Sequence, residues 1–419
     1  MADSPMAMAE TTGQLPKMPS GIFKLPNEIF DQIICKLSDN ALGNFRATSK
    51  GIYHPTLETW KKRALSMGRG KPPLEWAAEY NKPFLIHYLL DTFPHLDINM
   101  SVIGSKTNPL CIACEQGLDD AVIALIDRGA DVNYSPGKPG PAIVRAVRKG
   151  YARTVQMLLD AGADPRARGE NLLHLAAKCK YPLTLRVILR WMEAYPESMP
   201  GINSITGSWG CTALHLACED GAVRAAKLLL ESGADIDATC CGDRLKTPLS
   251  MTVGYCSARR RVMVAALLLS WGANVEGRTT ESLTIPNFDT PLHDAVKRQL
   301  PDSYELVSLL LANGAAPNAL NRSGSTALRL ALEIHDLDMM RAIVNGGGDI
   351  NMVDAGGSSA VHVLATWPIS PFTSSVLLFF KERGADMFLV NKEGVAPRVL
   401  ARMNGWDLET IEETWGSGV

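Results

Sequence analysis

Apolar and small residues fall into a word that recurs along the chain. It is clearest at Gly210-Cys211-Thr212-Ala213-Leu214-His215-Leu216-Ala217, followed by Gly221, by Leu228-Leu229-Leu230 and by Gly233-Ala234-Asp235-Ile236-Asp237. The position of Thr212 is taken elsewhere by Pro72, Asn108, Pro141, Asn171, Thr247, Thr290, Thr326, Ser359 and Ala396, giving successive spacings of 36, 33, 30, 41, 35, 43, 36, 33 and 37. A period of this length marks a repeat architecture, in which one supersecondary unit buries its apolar face against the next copy.

The residue types predict the elements. Thr or Asn at the marked position caps a helix through its side-chain oxygen, and the Pro that follows at Thr247-Pro248 and Thr290-Pro291 suits a first turn that needs no amide hydrogen. Leu214, Leu216 and Ala217 give that helix a narrow apolar face, and Gly221 ends it in a left-handed turn. A second helix follows, buried through leucines such as Leu228-Leu229-Leu230, Leu267-Leu268-Leu269 and Leu309-Leu310-Leu311. Gly-Ala-Asp at 129–131, 162–164, 233–235 and 384–386 closes it, and the polar run beyond projects as a hairpin-like finger.

This two-part word closely resembles the ankyrin family over roughly residues 72 to 405. The resemblance implies an all-α solenoid of about ten helix-turn-helix units, filling residues 69–405, with 406–419 as a C-terminal cap or tail. Departures from the word mark altered surfaces. The unit at Asn171 lacks Gly-Ala-Asp and runs through Tyr195-Pro196-Glu197 to Ile202-Asn203, where a shift in the stack is expected. The units at Thr247, Thr290 and Ser359 carry extra residues between their helices, and the finger between Glu276 and Asp289 is long. The last unit, Lys392 to Gly405, is a helix without a full partner and carries Arg398 where Leu is usual, as a polar cap does.

The N-terminal part follows another pattern. Residues 1–20 are small, polar and Pro-containing and are expected to be disordered. Residues 21–68 predict three helices, Leu25 to Leu37, Asn40 to Ser49 and Pro55 to Met67. On the first, apolar residues spread over about 180°, wider than the stripe that faces a single neighbour. A segment this short does not close its own core, so it either caps the first repeat or docks on another protein. The words Leu25-Pro26-x-Glu28-Ile29-x-x-x-Ile33, Leu37, Ala41-Leu42-x-x-Phe45 and Leu57-x-x-Trp60-Lys61 resemble an F-box, with Gly43-Asn44 and the Ala-Leu start as departures. That resemblance implies binding to the Skp-family adaptor of cullin ubiquitin ligases through Leu25, Pro26, Ile29, Ile33, Leu37 and Leu42, with Trp60 closing the third helix. Seven Lys or Arg against four Asp or Glu between Ile22 and Met67 suit an acidic partner.

Composition narrows the function. Hydrophobic residues are 46%, charged residues 21% and the formal net charge is -2, so nothing pulls the chain toward nucleic acid or an anionic membrane. Residues Met1 to Ser20 lack a basic cluster followed by an apolar stretch and no run approaches about 18 apolar residues, so neither a secretory signal nor a membrane span is expected, and the nine cysteines lack a framework spacing. An intracellular protein of cytoplasm or nucleus, monomeric outside its complexes, is expected. His174, His215, His293 and His362 share one slot of the repeat and cannot converge on a metal or a nucleophile. Cys111-x-x-Cys114 has zinc-ligand spacing and Cys240-Cys241 is an adjacent pair, but neither has a second pair at the needed separation. No phosphate cradle, zinc-protease helix or nucleophile elbow occurs. The expectation is a non-catalytic binding subunit without cofactor or metal.

Target contacts are expected on the fingers and first helices. The candidate set is Tyr134, Lys138, Arg166, Arg168, Trp209, Arg244, Lys246, Arg278 and Arg322, slightly basic with two aromatics. Two readings remain: the substrate receptor of a cullin-type ligase, binding adaptor at one end and target along the repeats, or a scaffold whose first helices only cap the stack.

Overall fold

The computed structural model describes residues 72–406 except 95, 101–106, 136–139, 167–170, 179, 207–209, 241–245, 257–259 and 278–288. The tail 1–20, the F-box-like segment 21–68 and residues 407–419 lie outside the described residues, and so do all seven adaptor-facing candidates.

The described residues form α-helices in consecutive pairs with no strand among them, apart from one isolated bridge between Thr206 and Cys211. The pairs are α1 (Pro73–Glu79) and α2 (Pro83–Thr92), α3 (Pro109–Gln116) and α4 (Asp119–Asp127), α5 (Ala142–Lys149) and α6 (Ala152–Asp160). They continue with α7 (Leu172–Lys178) and α8 (Pro182–Ala194), α9 (Ala213–Glu219) and α10 (Val223–Glu231), α11 (Pro248–Tyr255) and α12 (Arg261–Ser270). The last are α13 (Pro291–Lys297) and α14 (Ser303–Ala312), α15 (Ala327–Glu333) and α16 (Leu337–Asn345), α17 (Ala360–Ala365) and α18 (Pro371–Glu382), and the single helix α19 (Pro397–Met403).

Capping chemistry sets each start. The Asn108 side chain accepts from the Cys111 amide at 2.8 Å, and the hydroxyls of Thr212, Thr247 and Thr326 accept from the amide three residues on. Second helices end in left-handed glycines, Gly129, Gly162, Gly233 and Gly384, at φ between 78° and 84°. Gly272, Gly314 and Gly347 take the same conformation where the Gly-Ala-Asp word has drifted. At Gly129, Gly233 and Gly314 an added Cβ would meet nothing within 4 Å. The backbone angle, and not crowding, therefore demands glycine there.

Contacts divide the chain into two compact units, residues 1–149 with 157–163 and residues 150–156 with 164–419. In the first, α1 packs on α3, α3 on α5 and α2 on α4. In the second, first helices α7, α9, α11, α13, α15, α17 and α19 pack each on the next, and second helices do so from α8 through α16. The central leucine of each triplet, Leu229, Leu268 and Leu310, is fully buried, as is Phe380. First helices of six to eight residues are far below the ~12 needed to persist in water, so packing against the adjacent copy holds them.

Two polar devices join successive copies. The first is a ladder at the start of each finger: the side chain of Asn203 accepts from the Asp235 amide at 2.8 Å, Asp237 from Asn274 at 3.0 Å, Glu276 from Ala316 at 2.8 Å, Asn318 from Asp349 at 2.8 Å and Asn351 from Asp386 at 2.8 Å. Asn99 does the same to Asp131 in the first unit, at 2.9 Å. Asn351 also donates to the Gly384 carbonyl at 3.0 Å. The expected shift at the Asn171 unit does not break this ladder. The residues beyond α8 close as a 3-10 turn at Pro196–Ser198, and Asn203 still reaches Asp235.

The second device is the recurrent histidine. The Thr212 amide points at His215 Nδ1, 3.3 Å away, so that nitrogen accepts and the proton sits on Nε2, which donates to the Lys246 carbonyl at 2.9 Å. His174 and His362 make the equivalent bond to Cys211 and Val395, at 3.0 and 3.2 Å. His293 Nδ1 takes the Thr290 amide at 3.2 Å in the same way. Where the slot holds Arg329, its guanidinium reaches Asp354 of the next finger.

The amide bonds accepted by Nδ1 of His215, His293 and His362 need neutral rings, and burial pushes all four imidazoles below their usual 6.5. The folded chain therefore binds fewer protons at these rings than the unfolded chain. Their stabilisation is complete above the ordinary imidazole value and is lost as pH falls below it. Thermal midpoints should be flat above about pH 7.5 and fall progressively below about pH 6.5. His215→Gln should shallow that fall; an unchanged slope would refute the ring assignment. In the core, Phe380→Ala should destabilise the chain by about 3–5 kcal/mol in urea unfolding, with hydrogen-exchange protection lost first around α18.

Candidate protein-binding face

On a helix, residues four, seven and eight positions beyond the cap share a face. Counting from each cap residue, position seven carries Glu79, Glu115, Arg148, Lys178, Glu219, Gly254, Lys297, Glu333, Thr366 and Met403. All but Gly254 are exposed or half-buried. Position eight adds Tyr80, Asp220, Tyr255, Arg298 and Trp367, which also remain accessible. Within each compact unit the leucines thus turn inward and a row of charged and aromatic side chains is left on the first helices.

Part of that row is already neutralised between neighbours. Lys246 Nζ lies 2.6 Å from Asp294, with both side chains 15% exposed or less. Arg145, buried, pairs with Glu115 at 2.9 Å in the first unit, and Arg329 holds Glu333 at 3.1 Å as well as Asp354. The Asp220 carboxyl is raised by burial, an effect that Lys178 and Lys180 oppose. Beyond α19, Trp406 is buried and its indole donates to the Trp367 carbonyl at 2.8 Å, with His335 stacked on Trp367 at 4.4 Å.

The candidate contact residues separate in the structure. Arg322 is exposed on the turn closed by Asn321 and Ser325, where Gly324 takes φ 74°. Tyr134 is half-buried beside the Asp131 turn. Arg166 binds the carbonyls of Glu197 and Ser198 at 2.8 and 3.1 Å, and Lys246 binds Asp294, so both serve the stack itself. Lys138, Arg168, Trp209, Arg244 and Arg278 lie outside the described residues. Arg398 is exposed, with its guanidinium 4.6 Å from the Phe388 ring.

Sequence reasoning passed over two features. The Asp-x-Asn ladder was visible as a two-residue spacing at Asp97-x-Asn99, Asp131-x-Asn133 and Asp349-x-Asn351. Tyr255 and Arg298 sit at the same register of neighbouring helices, which only a count from the cap reveals. Cys111 and Cys114 are fully buried in α3, and burial raises both thiols. No group of three or more His, Cys, Asp or Glu suited to a metal occurs among the described residues. No helix among them is long and apolar enough to cross a membrane.

Comparison with known proteins agrees with this architecture. Residues 143–240 match the family model for ankyrin repeats in three copies, and residues 287–322 match the model for a single ankyrin repeat. The E3 ubiquitin-protein ligase KEG of Arabidopsis thaliana is 26% identical over 300 residues, 68% of this chain and 17% of that protein. The transient receptor potential cation channel subfamily A member 1 of Homo sapiens is 26% identical over 306 residues, 71% of this chain and 26% of that protein. The chain thus spans about a quarter or less of the length of these relatives. The crystal structure of the human ASB11 ankyrin repeat domain aligns with 23% identity and a TM-score of 0.35, covering 67% of this chain and 99% of that one. Residues 143–240 and 287–322 are therefore ankyrin repeats, a protein-interaction module.

Proposed function

We propose that this chain is the substrate-recognition subunit of a cullin-type ubiquitin ligase, acting inside the cell without chemistry of its own. Its repeats, about ten across residues 69–405, hold a protein target, and residues 21–68 engage the Skp-family adaptor through Leu25, Pro26, Ile29, Ile33, Leu37 and Leu42, with Trp60 closing the segment. The observation that carries target binding is the row of accessible charged and aromatic side chains on first helices whose backbone is locked by the ladder and the histidines. A pre-ordered surface loses little entropy on binding.

Support for the ligase half is the Leu-Pro word with its apolar helical positions, the local basic excess, and a relative named as an E3 ubiquitin-protein ligase. Catalysis would belong to other subunits, and this one would act by bringing the target into position. The same repeats occur in a relative named as a cation channel, which favours the second reading, a scaffold whose N-terminal helices only cap the stack. Fold alone names no ligand.

A pull-down of adaptor with the full chain separates the two. Wild type should recover it, and the double variant Leu25→Asp, Ile29→Asp should lose it while circular dichroism and melting of the repeats stay unchanged. Equal recovery from both, or none from either, excludes the ligase reading and leaves the scaffold.

A further inference from the structure

Within the second compact unit, α8 packs on α10 and α10 on α12. Three other second helices begin with acidic residues, which the positive end of a helix favours: Asp119 and Asp120 on α4, Glu305 on α14 and Asp338 on α16. None of α8, α10 and α12 has an acidic residue in its first turn or a side-chain cap. Cations stand there instead: Lys180 before α8, Arg186 within it, Arg224 on α10 and Arg260 before α12.

Two grooves run between these helices. One, of about 570 Å³, lies between α8 and α10 and is walled by Arg186, Arg224 and Lys227. The other, of about 520 Å³, lies between α10 and α12 and is walled by Lys180, Arg224 and Arg260. They adjoin, because Pro182 and Arg224 line both.

The charges do not balance. All five cations are exposed. Lys180, Arg186, Arg224 and Arg260 have neither hydrogen bond nor ion pair among the described residues, and Lys227 reaches only Glu231, at 3.8 Å. The remaining carboxylate lining the grooves is Asp220, which lies in the field of Lys178 and Lys180. The cations that tie copies together in this unit, Lys246, Arg261 and Arg329, are by contrast all paired. The groove cations are thus surplus to the stack.

Between them the surface is apolar. Leu183 is 61% exposed and Met263 58%. Tyr181, 44% exposed, is packed against Gly150, where a Cβ would overlap its ring. Exposed apolar side chains rimmed by unpaired cations match a partner that brings both carboxylates and aliphatic groups. A single-stranded nucleic acid needs aromatic platforms for its bases, and Tyr181, already packed on Gly150, is the aromatic residue lining these grooves.

We propose that the two grooves form one docking surface for an acidic polypeptide segment of a partner protein, its carboxylates meeting Lys180, Arg224 and Arg260 and its aliphatic side chains covering Leu183 and Met263. Second helices build this surface, so it is distinct from the row on the first helices. It holds under the ligase reading and the scaffold reading alike.

The experiment is phage selection of random peptides on the full chain, counter-selected on the double variant Arg224→Glu, Arg260→Glu, with synthetic copies measured by fluorescence anisotropy. Glutamate is favourable at a helix start, so this variant should melt no lower than wild type. Surviving peptides should share acidic and aliphatic positions, bind the double variant at least about tenfold more weakly, and weaken similarly on raising salt to about 0.5 M. The milder pair Arg224→Gln, Arg260→Gln should lose affinity in the same direction, which separates lost contacts from misfolding. Leu183→Ser should weaken binding several-fold without altering the salt dependence. Glu333→Arg on α15 should change nothing.

No peptide surviving the counter-selection, or survivors without acidic positions, would overturn the docking surface and leave the first-helix reading untouched. A loss with Glu333→Arg equal to that with the double variant would overturn its location, and indifference to Leu183→Ser its apolar half. Oligothymidylate bound more tightly than any selected peptide, and lost in the double variant, would replace the polypeptide with a nucleic acid.

Discussion

Helices of six to thirteen residues with leucines on one side do not survive alone in water. In the second unit Leu229, Leu268 and Leu310 are dry because the equivalent helices of neighbouring copies lie against theirs. Everything else depends on that dependence on neighbours. It fixes the period of the sequence, forces small residues such as Ala217 and Ala331 to the first-helix contacts, and demands a sharp left-handed turn wherever a helix must reverse. It also explains why the array tolerates drift in any single word. A unit that loses Gly-Ala-Asp, such as the one at Asn171, is still clamped by the copy after it.

Burying helix ends against one another creates a second demand, because the turns expose backbone amides and carbonyls that need partners. Side chains meet it across the copies. An Asn or Asp at the base of one finger accepts from the next, and a neutral histidine ties its own cap to the following chain segment. Such bonds contribute about 0.5–1.5 kcal/mol each, but leaving their partners unsatisfied costs more, so their value lies in fixing the angle between copies. Within each compact unit, a fixed angle is what keeps the outward residues of successive first helices in register. The pH sensitivity of the array has the same origin, since the clamp depends on imidazole nitrogens that must stay unprotonated.

The repeat was legible because capping, left-handed turns and helical periodicity act over a few residues. The Thr, Asn and Pro positions stand at the helix starts, the four Gly-Ala-Asp words end second helices, and the shared histidine slot bonds backbone. Some contact residues drawn from the same sequence turned out to be occupied. Lys246 and Arg166 look like free cations on fingers, but one lies in an ion pair with Asp294, 48 residues on, and the other binds carbonyls about 30 residues on. Charge and residue type cannot tell a free cation from a paired one when the partner belongs to a later copy.

The linear sequence determined what each copy is: two short helices, their caps, their reversing glycines and the apolar side that must be hidden. These follow from interactions within a few residues, which the sequence carries directly. Only the tertiary structure decided which polar groups join successive copies and which are left facing outward, because that depends on side chains 30 to 50 residues apart being brought together. Gly254, Tyr255 and Arg298 illustrate the difference. Separately they are an ordinary glycine, tyrosine and arginine, and they come together only when α13 is laid beside α11.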